Sequence, residues 1–300
     1  MFAFVTNREI YREYLQQLQV IYNPGEATVI TNLVFESIAG LQRANIIKLP
    51  QQLVDPFILE HLIESLSELI QHKPVQYVLG EAWFYKMKLS VNNQVLIPRP
   101  ETEELVKLII DDHLPAVNQN ALTATSQMSP GKQLTILDIG TGSGCIAIAL
   151  KKNLPVTMTA IDISKEALLV AGNNAKDLAV EITFLHVDFL AEADWHKLPV
   201  FDVIVSNPPY IPLDEKSKLD KNVIAFEPHA ALFVPKKNPL LFYEKIAAFG
   251  KKHLHEHGKV YVEINEKFAG ASKEIFKRYD RVTIKQDIFG KDRFLTRTCI

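Results

Sequence analysis

From Leu134 onward, short apolar runs alternate with amphipathic stretches, and this rhythm constrains the fold more than anything else in the chain. "LTILDI" (134–139), "VTMTAID" (156–162), "EITFLHVD" (181–188) and "FDVIVS" (201–206) are strand-like, and helical stretches such as "SKEALLVAGNNAKDLA" separate them. Strands that alternate with helices predict an α/β fold, a mostly parallel sheet with helices on both faces. "KVYVEI", "VTIKQDIF" and "RFLTRTCI" add strands later, with helices near 239–256 and 266–279. No long helix separates the last two strands, so the sheet is expected to end in an antiparallel hairpin.

The N-terminal part follows a helical period instead. "REIYREYLQQLQVIY" spaces Ile10, Tyr14, Leu18 and Ile21 for one helix face. "NPGEATVITNLVFESIAG" opens on an Asn-Pro cap and closes on Gly40, and Asp55-Pro56 starts a third helix carrying Ile58, Leu62, Leu66 and Leu69. A small helical bundle over residues 1–75 follows. In "FYKMKLSVNNQVLIP" two apolar segments flank Asn92-Asn93, which predicts a β-hairpin turning there, within a linker spanning 76–100. Residues 101–300 form the remaining domain. "PETEELVKLIIDD" is a helix with Pro100 at its start and acidic residues in its first turn, and polar residues 113–133 read as a surface loop.

"LDIGTGSGCIAIAL" (137–150) is a strand, a glycine turn and a helix start. Gly140, Gly142 and Gly144, with Thr141 and Ser143 between them, let backbone approach a ligand. A dinucleotide site would show G-x-G-x-x-G, but Cys145 stands at its third glycine. Asp138 just before the turn would repel a pyrophosphate but not a cationic ligand, which favours S-adenosylmethionine. Asp162 ends the second strand, where a carboxylate accepts both ribose hydroxyls of a nucleoside. Asp188 ends the third strand, placed to accept from an adenine amino group. Beside it, Phe189 reads equally as a cover for that ring or as a core aromatic.

"VSNPPY" (205–210) ends the fourth strand, because two prolines cannot donate to a sheet ladder. A stiff corner bearing an amide and a ring suits methyl transfer to a planar NH2 group. The Asn207 side-chain oxygen and the Pro208 carbonyl can each accept one N–H of the target, Pro209 stiffens the corner, and Tyr210 can pack on the flat group. Such positioning supplies about 7–11 kcal/mol of barrier reduction. Glu227, in "AFEPHAALF", reads either as a residue of the substrate mouth or as a solvated loop carboxylate. Arg99, in "VLIPRPETEELV", is the residue that helix-start chemistry does not explain.

Bulk properties narrow the partners. The net charge of −2, with 23% charged residues, argues against a general nucleic-acid binder and for no direct sequence-specific binding. The nine histidines and two cysteines show no metal-ligand spacing, so no metal is expected, and the cysteine count favours a reducing cytoplasmic setting. "MFAFVTNREI" lacks the basic start of a signal peptide, and no apolar run has bilayer-spanning length, so no membrane association is expected.

Together, "PVQYVLG", "VLIPRPETEELV", "LDIGTGSGCIAIAL", "VSNPPYI", "FEPHAAL" and "IFGKDRF" closely resemble the peptide chain release factor glutamine-N5 methyltransferases, the HemK/PrmC family. The resemblance spans essentially the whole chain. It implies a seven-stranded Rossmann-like sheet that binds S-adenosylmethionine, joined by the β-hairpin to an N-terminal helical domain that grips bacterial release factors. The implied target is the glutamine of their Gly-Gly-Gln motif. Implied cofactor contacts are Gly140, Thr141, Gly142, Ser143, Gly144, Asp162, Phe189 and Asn207, and implied substrate contacts are Asn207, Pro208, Pro209 and Tyr210. Departures are Asn265 where the family often has glycine, "KKNPLLFYEKI" without the usual Asp-Gly-Leu, and a longer 113–133 segment. Asn-Pro-Pro-Tyr also occurs in adenine-N6 DNA methyltransferases, but these need a basic groove and a base-flipping pocket. A non-catalytic cofactor-binding docking module is the other alternative, and the intact Asn-Pro-Pro-Tyr corner beside an intact glycine turn argues against it.

Overall fold

The computed structural model describes residues 5–114, 133–277 and 280–299. The segment expected as a surface loop lies outside these residues except at its ends, where His113 closes a helix and Gln133 leads into a strand. The chain forms two compact units, one of residues up to Glu81 with Asp220–Phe226, the other of Ala82–Leu219 with Glu227–Ile300.

In the first unit, α1 (Asn7–Leu18), α2 (Pro24–Ala39) and α4 (Pro56–Leu69) are the three helices whose period is visible in the sequence. Asn23 and Asp55 cap α2 and α4 with their side chains, and Gly40 ends α2 at a φ of 64°. Tyr14, Leu18, Val34, Phe35, Leu62 and Leu69 form the centre of its core. The Tyr14 hydroxyl donates to the Leu62 carbonyl, so its polar end is satisfied inside that core. Two short helices, α3 (Arg43–Lys48) and α5 (Val75–Leu79), go beyond the sequence reading, being too short to show a period.

Next, β1 (Glu81–Phe84) and β2 (Met87–Ser90) pair as a hairpin. Its turn is at Tyr85-Lys86 (φ 47° and 63°), not at Asn92-Asn93. The helix α6 (Pro100–His113) explains this, because Glu103 accepts the Tyr85 N–H at 2.9 Å and holds the strained turn. Asn92 makes a local turn instead, its side chain accepting from Gln94 N–H at 2.9 Å.

The second unit continues with β3 (Leu134–Ile139), α7 (Cys145–Asn153), β4 (Val156–Asp162), α8 (Lys165–Asp177), β5 (Thr183–His186) and β6 (Phe201–Ser206). After β7 (Ile211–Pro212), α9 (Lys221–Phe226) belongs to the first unit, and α10 (His229–Leu232) leads into β8 (Phe233–Val234). Then follow α11 (Leu241–His253), β9 (Leu254–Glu263), α12 (Ala269–Lys277), β10 (Asp280–Gln286) and β11 (Asp292–Cys299). The main sheet has seven strands in the order β10-β11-β9-β6-β3-β4-β5. It is parallel from β9 to β5, and β11 runs antiparallel to both β9 and β10, giving the expected closing hairpin.

Alternation along the strands buries both faces. Ile136, Val203, Val205 and Tyr261 pack with α6 and α7, while Leu137, Ile204, Val260 and Val262 pack with α11 and α12. Each such side chain contributes about 1.5–3 kcal/mol on burial, which is why these strands are nearly continuous apolar runs. The helix expected near 239–256 stops earlier, α11 ending at His253, and Gly258 lies buried in β9. A Cβ there would meet the His255 carbonyl at 2.8 Å, so close backbone packing requires the glycine.

Candidate active site

Strand order brings two loops together. β3 and β6 are adjacent and parallel, with Ile139 level with Ser206. The glycine turn leaves β3 at Gly140 and the Asn-Pro-Pro-Tyr corner leaves β6 at Asn207, so both emerge at the carboxyl end of the sheet, about 5 Å apart across the ladder. The Ser206 hydroxyl donates to the Ile139 carbonyl at 2.7 Å and ties the departures together. Strands are added outward in opposite directions from this pair, the position at which open α/β sheets bind ligands.

Gly140, Gly142 and Gly144 all have positive φ. A Cβ on Gly142 would stand in open space, whereas one on Gly144 would meet the Ala171 and Ile148 side chains at 3.1 Å. Gly142 therefore keeps backbone accessible, and Gly144 seats α7 against α8. Thr141 and Ser143 are buried between them, and the Thr141 hydroxyl donates to Asp138 Oδ2 at 2.7 Å. Asp138 Oδ1 and the Ser143 hydroxyl are buried without a hydrogen-bond partner among the described residues. Burial pushes the Asp138 carboxyl up to about 7, against the opposing Thr141 bond. Such unmet hydrogen-bonding capacity beside open backbone fits a nucleoside that carries an ammonium group.

Asp162 ends β4, and its two oxygens accept from Gly142 N–H and Ser164 N–H, each at 2.9 Å. It thereby braces the glycine turn, and burial raises its pKa despite those bonds. Ser164 is the cap of α8, accepting from Ala167 N–H at 3.0 Å, so Asp162 is not needed for that role. Asp188 is half-buried, with Oδ1 accepting from Leu190 N–H at 3.0 Å. Phe189 is 5% exposed and packs on Trp195 and Phe249, which is the core alternative of its two readings.

At the corner, Pro208 is buried while Asn207, Pro209 and Tyr210 are half-buried. The chain runs on into β7, which pairs with β8, so "FEPHAAL" leads into the strand that supports the corner. Asn207 Nδ2 donates to Thr102 Oγ1 at 3.0 Å, which turns Oδ1 away from Thr102. The Tyr210 hydroxyl donates inward to Glu263 Oε1 at 3.2 Å, leaving the ring rather than the hydroxyl for a target. Asn265, a departure from the family pattern, donates from Nδ2 to the Tyr210 carbonyl at 3.2 Å and braces the corner.

Glu227 is not a solvated carboxylate. Its side chain is 1% exposed, and both oxygens are taken, by Arg99 Nη2 at 2.6 Å and Ile97 N–H at 3.4 Å. This pair also accounts for Arg99. Thr102 and Glu263 are functional candidates that the sequence reading missed. Thr102 is hidden in a helix start already explained by Pro100 and the acidic first turn, but Glu263 carries a signal, a carboxylate directly between buried Val262 and Ile264.

A family model described as the methyltransferase small domain matches residues 119–227. The release factor glutamine methyltransferase of Flavobacterium psychrophilum is 40% identical over 286 residues, covering 94% of this chain and 95% of that protein. That of Bacteroides thetaiotaomicron is 38% identical, covering 94% and 96%. That of Lactococcus lactis is 41% identical, covering 88% and 91%. With the seven-stranded sheet and its glycine turn, these define the chain as an S-adenosylmethionine-dependent methyltransferase. Within that class, it belongs to the release factor glutamine methyltransferase family.

Proposed function

We propose that this chain transfers a methyl group from S-adenosylmethionine to the side-chain nitrogen, N5, of the glutamine in the Gly-Gly-Gln motif of peptide chain release factors. The observation that carries this reading is the Asn207 amide at the carboxyl end of β6, level with the glycine turn and bonded to Thr102 through its NH2 group. A glutamine carboxamide needs two acceptors for its NH2 protons, and Asn207 Oδ1 and the Pro208 carbonyl are suited to supply them. Accepting both protons orients the nitrogen lone pair, and the proline-stiffened corner holds the acceptors in place beforehand. Tyr210 offers its ring to the flat carboxamide, and Pro209 completes the corner.

The cofactor supplies an electrophilic methyl group when bound. The residues suited to hold it are Gly140, Thr141, Gly142, Ser143 and Gly144 of the turn, Asp162 for the ribose, Asp188 for the adenine amino group, and Asn207. Phe189 backs that end from the core. Residues 1–75 serve as the release-factor-binding domain, 76–100 as the linker and 101–300 as the methyltransferase domain. Among the described residues no helix is long and apolar enough to cross a membrane. We place the enzyme in the cytoplasm, recognising a protein surface and making no direct sequence-specific contact with nucleic acid.

The test is a methyl-transfer assay with purified release factor. Label is expected on the Gly-Gly-Gln glutamine alone, and label that persists after its replacement by alanine defeats the reading. Asn207→Ala is expected to lower kcat about 100- to 1,000-fold while cofactor affinity falls far less.

A further inference from the structure

An asparagine amide has a donor end and an acceptor end, and only the acceptor end serves a substrate NH2 group. What sets the sense of the Asn207 amide lies two residues away through space. Glu263, at the carboxyl end of β9, is 1% exposed, and its oxygens accept from two hydroxyls, Thr102 at 2.8 Å and Tyr210 at 3.2 Å. An ionised carboxylate only accepts. The Thr102 hydroxyl has one proton, directed at Glu263, so toward Asn207 it can only accept. Asn207 must then turn its NH2 group to Thr102 and its oxygen the other way.

We propose that Glu263, acting through Thr102, sets the sense of the Asn207 amide and so presents its oxygen to the substrate carboxamide. Glu263 and Thr102 are positioning residues, and this role rests on the glutamine-methylation reading above.

Protonation of Glu263 reverses the relay. A carboxyl protonated on Oε2, the oxygen that faces Thr102, donates to Thr102, Thr102 donates to Asn207 Oδ1, and the amide turns its NH2 group toward a substrate NH2 group, donor against donor. Burial brings the Glu263 carboxyl up to about 7, opposed by Thr102, by the Arg293 guanidinium on β11 and by Tyr210. Glu101 on α6 raises it further, and Arg293 is itself paired with Asp287 at 3.2 Å. From α11, the Tyr243 hydroxyl faces the Glu263 backbone carbonyl. The working form is the ionised one, so activity should rise with pH through about 7 and then level.

The experiment measures kcat, KM and their pH profiles on the full chain with release factor, for wild type, Glu263→Gln, Thr102→Val and Thr102→Ser. Glutamine offers one acceptor oxygen to two hydroxyls, so one of them must reverse. Glu263→Gln and Thr102→Val are expected to lower kcat about 10- to 100-fold, with little change in cofactor KM and loss of the acid limb near pH 7. Thr102→Ser restores both the rate and the limb. If Glu263→Gln does not fold, the near-isosteric valine and the rescuing serine decide. Wild-type kcat and an intact acid limb in Thr102→Val overturn the proposal. The Asn207 side-chain amide resonances, followed by NMR without substrate, should titrate near pH 7 in wild type and not in Thr102→Val. Absence of that titration also overturns the relay, whereas an enzyme that titrates but never labels release factor sinks the functional reading instead.

Discussion

Replacing Gly144 and Gly142 by alanine, one at a time, separates helix packing from ligand approach within a single turn. Both residues sit at positive φ, 80° and 54°, which costs an L-residue about 1–2 kcal/mol. At Gly142 the added methyl meets nothing within 4 Å, so strain is the whole cost to the ligand-free chain. At Gly144 it meets Ala171 Cβ and Ile148 Cδ1 at 3.1 Å and Ala171 Cα at 3.3 Å. The Ile148 tip can rotate aside, but Ala171 is α8 backbone, so the helix must shift, adding about 1–3 kcal/mol of overpacking. Gly144→Ala should therefore lower the Tm of the methyltransferase unit by about 10 °C, and Gly142→Ala by about 3 °C. Binding should show the opposite order, because the Gly142 methyl stands where backbone is open to a ligand. Thermal unfolding without ligand and calorimetric titration with S-adenosylmethionine measure the two effects. Equal losses of Tm, or unchanged affinity in Gly142→Ala, would refute the division of labour.

Arg99→Ala should cost more than Glu227→Gln. It strands a carboxylate whose side chain is 1% exposed, and because Arg99 is itself a third exposed the loss is about 1–3 kcal/mol, while glutamine keeps the hydrogen bond; urea unfolding of the two variants checks the order. Asp138 has a folded pKa near 7 against an ordinary 3.8, so its contribution to stability is fully present below about pH 4 and is lost as pH rises toward 7. Asp138→Asn removes that loss, so the ligand-free variant should be more stable than wild type at about pH 8, with the gain vanishing in acid. Denaturation at the two pH values reads the sign.

The features legible in the sequence are those that a few neighbouring residues settle. Short, nearly continuous apolar runs define β3, β4 and β6, the glycines of 140–144 announce positive φ, and Pro208-Pro209 ends a ladder wherever it occurs. Asn23, Asp55 and Gly40 bound their helices through local hydrogen bonds and local backbone freedom. Features decided at a distance were misread or missed. The hairpin turns at Tyr85-Lys86 because Glu103 captures a backbone N–H, although Asn92-Asn93 has the better local turn chemistry. Glu227 looks like a loop carboxylate until Arg99, 128 residues away, is seen beside it.

The active site divides along the same line. The sequence by itself determined a glycine turn and a proline-stiffened amide, because backbone restrictions are written into the residues that suffer them. Only the tertiary structure decided which way that amide faces. The direction depends on the one proton that Thr102 gives to Glu263, 161 residues away, and the packing of α6 against β9 brings those side chains within 2.8 Å.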